Sequence, residues 1–349
     1  MTDGPAGSGD PSAVLDAEGV YGQAVENLGE PTTWGLRRHD TLGPNETLFL
    51  VWGSRQFVVR APPLSAETRR PGSLAREYGV LNALWETDLR VPRTVFACED
   101  TEVAGRPFYV YERLDGDVLR HGEPAQYATP TFRERVGTAL VDTLAAVHET
   151  EPGHLEDEGP ALAERVTAVR EWFQASRERT GRSLPAAEDL GAWLASNVPA
   201  GERTLVHGDF SLENVLFSRS TPPSVVGVLD WEDGGLGDPL ADLAWLASTW
   251  VDDADVEWAT RRTPRFTARE GYPLAAGLVG RYESQTGRQF EHQRFHLAFA
   301  AYRQAARAEA ARAEGTTADR AAAERDGEAD ATVAALERAA AARAGDATL

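Results

Sequence analysis

The sequence predicts an α+β chain: a small antiparallel sheet carrying one helix, followed by a larger, mostly helical part. Three observations lead there. Short apolar runs with period-two patterning, bounded by Gly and Pro, fill the first third. A change of character follows Asp115-Gly116, after which long stretches repeat their apolar residues at helical spacing. One apolar segment, LVHGDFSLENVLF, breaks the helical run and sets His207, Asp209 and Asn214 between two pieces of core.

The elements justify this in order. The Gly, Pro, Ser and Asp-rich start is expected to be disordered over 1–19. TLFLVW, GSRQ and FVVRAPP read as two strands joined by a tight turn, closed by Pro62 and Pro63, which offer no amide to a ladder. SLAREYGVLNALWE, 73–86, spaces Leu74, Tyr78, Leu81, Leu84 and Trp85 as a helix. RTVFACED and RPFYVYERL add two strands, so residues 20–114 read as β, β, α, β, β. Residues 115–314 hold amphipathic helices over 131–149, 161–179 and 289–314, and a further helix over DPLADLAWLASTW. From 315 to 349 the chain is rich in Ala, Arg and Glu, and it reads as a solvated helix or partly disordered tail.

Composition narrows the function. The 349 residues carry a formal net charge of −20, which argues against nucleic acid or an anionic membrane as partner. All 35 basic residues are arginines. The single cysteine, Cys98, can make neither an internal disulfide nor a thiolate cluster, and it reads as a small semi-buried side chain. With no signal-peptide pattern and no apolar run of spanning length, a cytoplasmic protein is expected.

The chemistry sits at the interrupted segment. A loop between two short strands can aim Asp209 into a cleft, and Asn214, five residues on, can return to it. A second carboxylate, Asp230, ends the buried strand VVGVL. A carboxylate with an amide oxygen forms a hard ligand pair suited to Mg²⁺. Asp209 could then accept the proton of a hydroxyl attacking a phosphoryl group.

The order Asp, four residues, Asn, then a strand-end Asp is that of protein kinases. With HGD and DWE as its two motifs, the sequence resembles the aminoglycoside phosphotransferase superfamily, of protein-kinase-like two-lobed fold, from about Leu28 to Arg303. NETLFLVW with FVVRAPP, REYGVLNALWETDLRVPR, EVAGRPFYVYERLDG and LDWEDGGLGDPLADLAWL resemble, more narrowly, the kinase-like domain associated with acyl-CoA dehydrogenases. The resemblance implies Asp209 as base, Asn214 and Asp230 as Mg²⁺ ligands, and His207 as a catalytic-loop residue acting by hydrogen bonding. Asp242 would brace the loop from the following helix, and Asp238 would cap that helix.

The resemblance further implies ATP as co-substrate. Arg60 stands where such enzymes place a phosphate-binding lysine, with Glu77 as its partner; arginine keeps the charge and adds bidentate grip. Asn45 and Thr47, after Gly43, would lie near the phosphates. Glu112, Arg113 and Leu114 would form the adenine-binding hinge, with Tyr111 behind it.

For the acceptor the sequence offers two clusters. Asp252, Asp253, Asp255 and Glu257 could attract a polycation or simply form a solvated face. Arg261, Arg262, Arg265 and Arg269 could hold an anionic handle or pair with the acidic run before them. The reading is a small-molecule kinase acting on an alcohol, a hydroxyacyl thioester ahead of an aminoglycoside or amino alcohol. Two other classes stay open. A nucleotide-binding pseudoenzyme scaffold would lack Mg²⁺-dependent ATP turnover, and a metallohydrolase using His207, Asp209 and Asp230 would bind zinc or manganese without nucleotide.

Overall fold

The computed structural model describes residues 15–39, 45–62, 73–120, 122–155, 158–252, 265–315 and 330–345. The chain divides into two compact units: Met1–Gly116 with Pro152–Asp157 and Val226–Gly234, and Asp117–Glu151 with Glu158–Val225 and Gly235–Leu349.

The first unit opens on a helix, α1 (Ala17–Leu28), capped by the Asp16 carboxylate accepting from the Glu18 N–H. It begins inside the stretch expected to be disordered, because Val20 and Ala24 bury one face among sheet residues. Gly19 makes the closest approach: a Cβ there would lie 1.7 Å from the Val103 carbonyl oxygen. The sheet strands are β1 (Trp34–His39), β2 (Glu46–Trp52), β3 (Arg55–Ala61), β4 (Thr94–Cys98) and β5 (Phe108–Glu112). They run in the order β1-β2-β3-β5-β4 with antiparallel neighbours. Strand β2 alternates, turning Leu48, Leu50 and Trp52 inward, whereas the central β3 is buried from Phe57 to Ala61. A two-residue turn joins them, with Gly53 at φ 61.

Helix α2 (Ser73–Ala83) stops before Leu84 and Trp85, and Trp85 is an exposed side chain rather than part of the helical face. A one-turn helix, α3 (Thr101–Ala104), stands between β4 and β5, so the unit has three helices among the described residues, not one. Cys98 is free and buried. The segment near 152 belongs here because the Gly153 N–H donates to the Ala83 carbonyl at 2.8 Å.

The second unit begins with β6 (Asp117–Val118). Helix α4 (Pro130–Glu149) starts with proline in its first turn after the Thr129 cap and buries Val136, Leu140, Val141, Leu144 and Val147. Helices α5 (Leu162–Thr180) and α6 (Pro185–Ser196) follow, then strand β7 (Thr204–Val206), a 3₁₀ turn over Leu212–Asn214 and strand β8 (Val215–Phe217). After β9 (Val225–Val228), where the Val228 N–H donates to the Arg90 carbonyl and the chain revisits the first unit, come β10 (Gly235–Gly237) and α7 (Pro239–Thr249). β10 pairs antiparallel with β7, and β6 with β8. The remaining helices are α8 (Ala275–Thr286), α9 (Gln293–Glu314) and α10 (Ala331–Ala344).

Helix α10 corrects the expectation of a solvated or disordered tail for its part of 315–349. Ala335, Leu336, Ala339 and Ala342 are buried in one core with α5, α6 and α9. Large apolar side chains are not needed where two helices approach closely enough for alanines to fill the gap. Glu309 of α9, fully buried, receives Thr180, the Arg182 guanidinium at 2.6 Å and the Thr332 hydroxyl at 3.0 Å, tying α10 to that core. Among the described residues, no helix is long and apolar enough to cross a membrane.

Candidate active site

In the first unit the sheet register sets the geometry. Thr47 and Arg60 are cross-strand partners on β2 and β3, and Arg60 faces Tyr109 on β5. The Arg60 guanidinium donates to the Thr47 hydroxyl at 3.0 Å, to Glu77 of α2 at 3.4 Å and to Asp230 at 2.8 Å. The sequence pairing of Arg60 with Glu77 is therefore present, and Asp230 and Thr47 join it. Asp230 has φ 65, a left-handed backbone that aspartate tolerates better than most side chains.

Electrostatics follow from burial. Desolvation pushes the Glu77 carboxyl up, partly offset by Arg60. Arg60 loses charge stability to burial, but Glu77 and Asp230 outweigh it and hold the guanidinium firmly charged. Burial, then the charges of Asp230 and Asp233, raise Glu232 to about 8. Asn45 donates to the Glu232 carboxylate at 2.6 Å. The turn before Asn45, with Gly43, lies outside the described residues. Glu112 ends β5, its N–H donating to the Arg93 carbonyl, and the Arg113 N–H donates to Gln56; Leu114 is half-buried just beyond.

In the second unit, β7 leads into His207 and Gly208, and Gly208 takes φ 81, which a side chain would strain. The Asp242 carboxylate of α7 accepts the His207 N–H at 2.7 Å and the Gly208 N–H at 2.9 Å. It also faces His148 Nε2 at 3.5 Å, while His148 Nδ1 meets the Tyr282 hydroxyl at 2.6 Å. Because a carboxylate only accepts, the Nε2 of His148 bears a proton toward Asp242. Burial alone would raise Asp242, but the hydrogen bond and charge of His148, then His207, bring it below the usual carboxylate range.

The loop is locked from within as well. The Asp209 N–H donates to His207 Nδ1 at 3.1 Å, and the Asn214 amide donates to the Asp209 carbonyl at 2.8 Å. Asp238 caps α7 by accepting the Leu240 N–H at 2.9 Å, and it lies 3.7 Å from His296.

Residues that sequence reasoning missed complete this loop. Arg303 of α9, nearly buried, donates to the Gly208 carbonyl at 2.8 Å. Arg307 meets the Asp209 carboxylate at 2.9 Å. Both guanidinium groups lie on the Trp245 ring, at 4.2 and 4.8 Å from its centroid. The only signal was the four-residue spacing of the two arginines, which a solvated Ala-Arg helix would also show.

Of the acceptor candidates, Asp252 accepts the Ala275 N–H at the start of α8. Arg269 pairs with Glu123 at 2.9 Å, beside Arg133 and Tyr272 on the same carboxylate. Asp253, Asp255, Glu257, Arg261 and Arg262 lie outside the described residues.

Comparison with known proteins agrees with the family resemblance. A family model described as the phosphotransferase enzyme family matches residues 43–278. Acyl-CoA dehydrogenase family member 11 of Homo sapiens is 32% identical over 242 residues, 68% of this chain and 30% of the relative. The Rattus norvegicus protein of that name is 30% identical over 247 residues, 70% of this chain and 31% of the relative. The chain thus spans under a third of the length of these relatives. Viomycin phosphotransferase of Streptomyces vinaceus is 31% identical over 237 residues, 64% of this chain and 76% of the relative.

Among solved structures, a Ralstonia eutropha protein described as a candidate aminoglycoside phosphotransferase has TM-score 0.67 and 27% identity, covering 95% of both chains. An aminoglycoside phosphotransferase solved with AMP-PNP and hygromycin B has TM-score 0.56 and 17% identity, covering 95% of this chain and 100% of its own, a likeness of fold alone. The fold is protein-kinase-like. A match over well more than half of its length makes this chain a member of the phosphotransferase enzyme family.

Proposed function

We propose that the protein transfers the γ-phosphoryl group of ATP to the hydroxyl of a small alcohol, with Asp209 as the base. The observation that carries this is the double backbone clamp of Asp242 on His207 and Gly208, which fixes the residue before Asp209 without using the Asp209 side chain. In the reaction the acceptor oxygen bonds to the γ-phosphorus as the bond to the β,γ-bridging oxygen breaks. ADP leaves, and the hydroxyl proton passes to the Asp209 carboxylate. His207 acts on this reading by holding the Asp209 N–H, not by moving a proton.

Asn214 and Asp230 would hold Mg²⁺. The donor set fits: Asn214 commits its amide nitrogen to the Asp209 carbonyl, so its oxygen is the end offered to a hard cation, and Asp230 already attracts the Arg60 cation. When bound, Mg²⁺ neutralises charge on the phosphates. Arg60 would grip those phosphates, and its buried Nε, without a hydrogen-bond partner among the described residues, supports this. Thr47 and Glu77 hold that guanidinium in place, and Asn45 would act near the phosphates. At the hinge the Glu112 N–H is already engaged, so its carbonyl and the Leu114 N–H would meet the adenine edge.

Asp209→Asn tests the reading. ATP binding persists and turnover falls by about 10²-fold or more, the scale of general-base loss. Unchanged turnover would remove Asp209 from the chemistry, and retained binding without any wild-type turnover would favour the pseudoenzyme scaffold. The relatives named as acyl-CoA dehydrogenase family members favour a hydroxyacyl thioester as acceptor, and the relative named viomycin phosphotransferase favours an antibiotic.

A further inference from the structure

We propose that Arg307 reads the charge of the acceptor, so that the enzyme favours an alcohol bearing an anionic group, carboxylate or phosphate, over a cationic one. This rests on Asp209 being the base and adds the class of acceptor to that reading.

Arg303 and Arg307 stand four residues apart on α9 and so share one helix face. Trp245 supports both planes, which restricts the rotation of two otherwise flexible side chains. Their tasks then diverge. Arg303 is 7% exposed and donates to the Gly208 carbonyl, so it anchors the loop. Arg307 keeps a third of its side chain exposed and reaches the Asp209 carboxylate at 2.9 Å.

Any hydroxyl that gives its proton to Asp209 must come within hydrogen-bond distance of that carboxylate. It then lies a few ångströms from the Arg307 guanidinium. An acceptor with a carboxylate or phosphate near its hydroxyl gains that partner. An acceptor with an ammonium group in the same place meets a fixed like charge, which is how an interface rejects a wrong partner. Of the described residues of the two charge clusters, Asp252 is committed to α8 and Arg269 to Glu123, while Arg265 is an exposed residue at the start of the 3₁₀ turn Arg265–Ala268.

The test measures ADP release by the full chain with Mg-ATP and three alcohols: 3-hydroxypropanoate, glycerol 3-phosphate and 3-aminopropan-1-ol. In the wild type at least one anionic alcohol should exceed the amino alcohol in kcat/KM by about 10-fold or more. Arg307→Glu should reverse the order, mainly through KM, and Arg307→Lys should keep it, since the charge remains. Preference for one anion over the other identifies the head group and supports the proposal. An unchanged order in Arg307→Glu, or a wild type preferring the amino alcohol, overturns it.

If none of the three is turned over, the same compounds are titrated as thermal protectants. Protection by an anion that is lost in Arg307→Glu supports the proposal, and no protection of the wild type overturns it. Equal use of all three alcohols sinks only the role of Arg307. A wild type that consumes no Mg-ATP with any acceptor, water included, sinks the kinase reading instead.

Discussion

Asp242→Asn exchanges one acceptor oxygen for a donor nitrogen where three donors converge. One carboxylate oxygen takes the Gly208 N–H at 2.9 Å, and the other takes the His207 N–H at 2.7 Å while facing His148. Asparagine can serve only one side, and its NH₂ then points at a buried N–H. A hydrogen bond to a charged group is worth about 1.5–3 kcal/mol, and a stranded buried donor costs about 1–3 more, so the loss should be about 3–5 kcal/mol. With an unfolding entropy near 2.1 cal/mol/K per residue, that lowers Tm by roughly 5–10 °C, depending on whether the whole chain or one unit melts together. The assay is a circular dichroism melt with hydrogen exchange of the loop amides. The sign with pH is also set. Asp242 is depressed in the folded state, so its stabilisation is complete above the ordinary value of 3.8 and is lost as pH falls through the lower folded value. The gap between variant and wild type should therefore close in strong acid. A Tm within about 1 °C of wild type at pH 7, or unchanged exchange at His207 and Gly208, would refute the clamp.

Two further outcomes follow from buried groups. Glu309→Ala removes the Thr180 and Thr332 contacts and one of the two carboxylates that hold Arg182, leaving Asp330 as the other; losing such a buried pair costs about 3–5 kcal/mol at most. Hydrogen exchange over 331–344 should rise more than elsewhere, and uniform protection would show that alanine packing alone holds α10. Burial, with His292 nearby, brings His296 down to about 4 from 6.5, so this histidine makes stability rise with pH between those values. Asp238, raised by burial to about 6, acts oppositely between 3.8 and 6. His296→Phe should therefore be compared with wild type at each pH, and it should flatten the difference by about 3 kcal/mol across its window. An unchanged slope would mean that His296 is not the group that titrates.

Much of the site could be read from sequence because its residues sit at fixed offsets in short elements. Arg60 and Thr47 face each other through a hairpin whose register the Gly53 turn sets, and His207, Asp209 and Asn214 occupy one loop between β7 and β8. Elements without a strong apolar period were missed. β1 is an edge strand with no buried residue, so WGLRRH shows no clear alternation. α1 reads as a continuation of a polar leader, since only Val20 and Ala24 are buried. Arg307 was hidden for another reason: its partner lies 98 positions earlier, and only the tertiary fold brings the two together.

The close seating of α10 on α9 has an evolutionary corollary. Positions such as Ala305, Ala306, Ala335 and Ala339 have almost no exposed surface, so a bulkier replacement on either helix would pry them apart. Drift there should be confined to the smallest side chains, even though the segment looks permissive by composition. Because Ala305 and Ala306 stand between Arg303 and Arg307, the pair beside Asp209, a misfit there would reach the chemistry as a tilt of that helix.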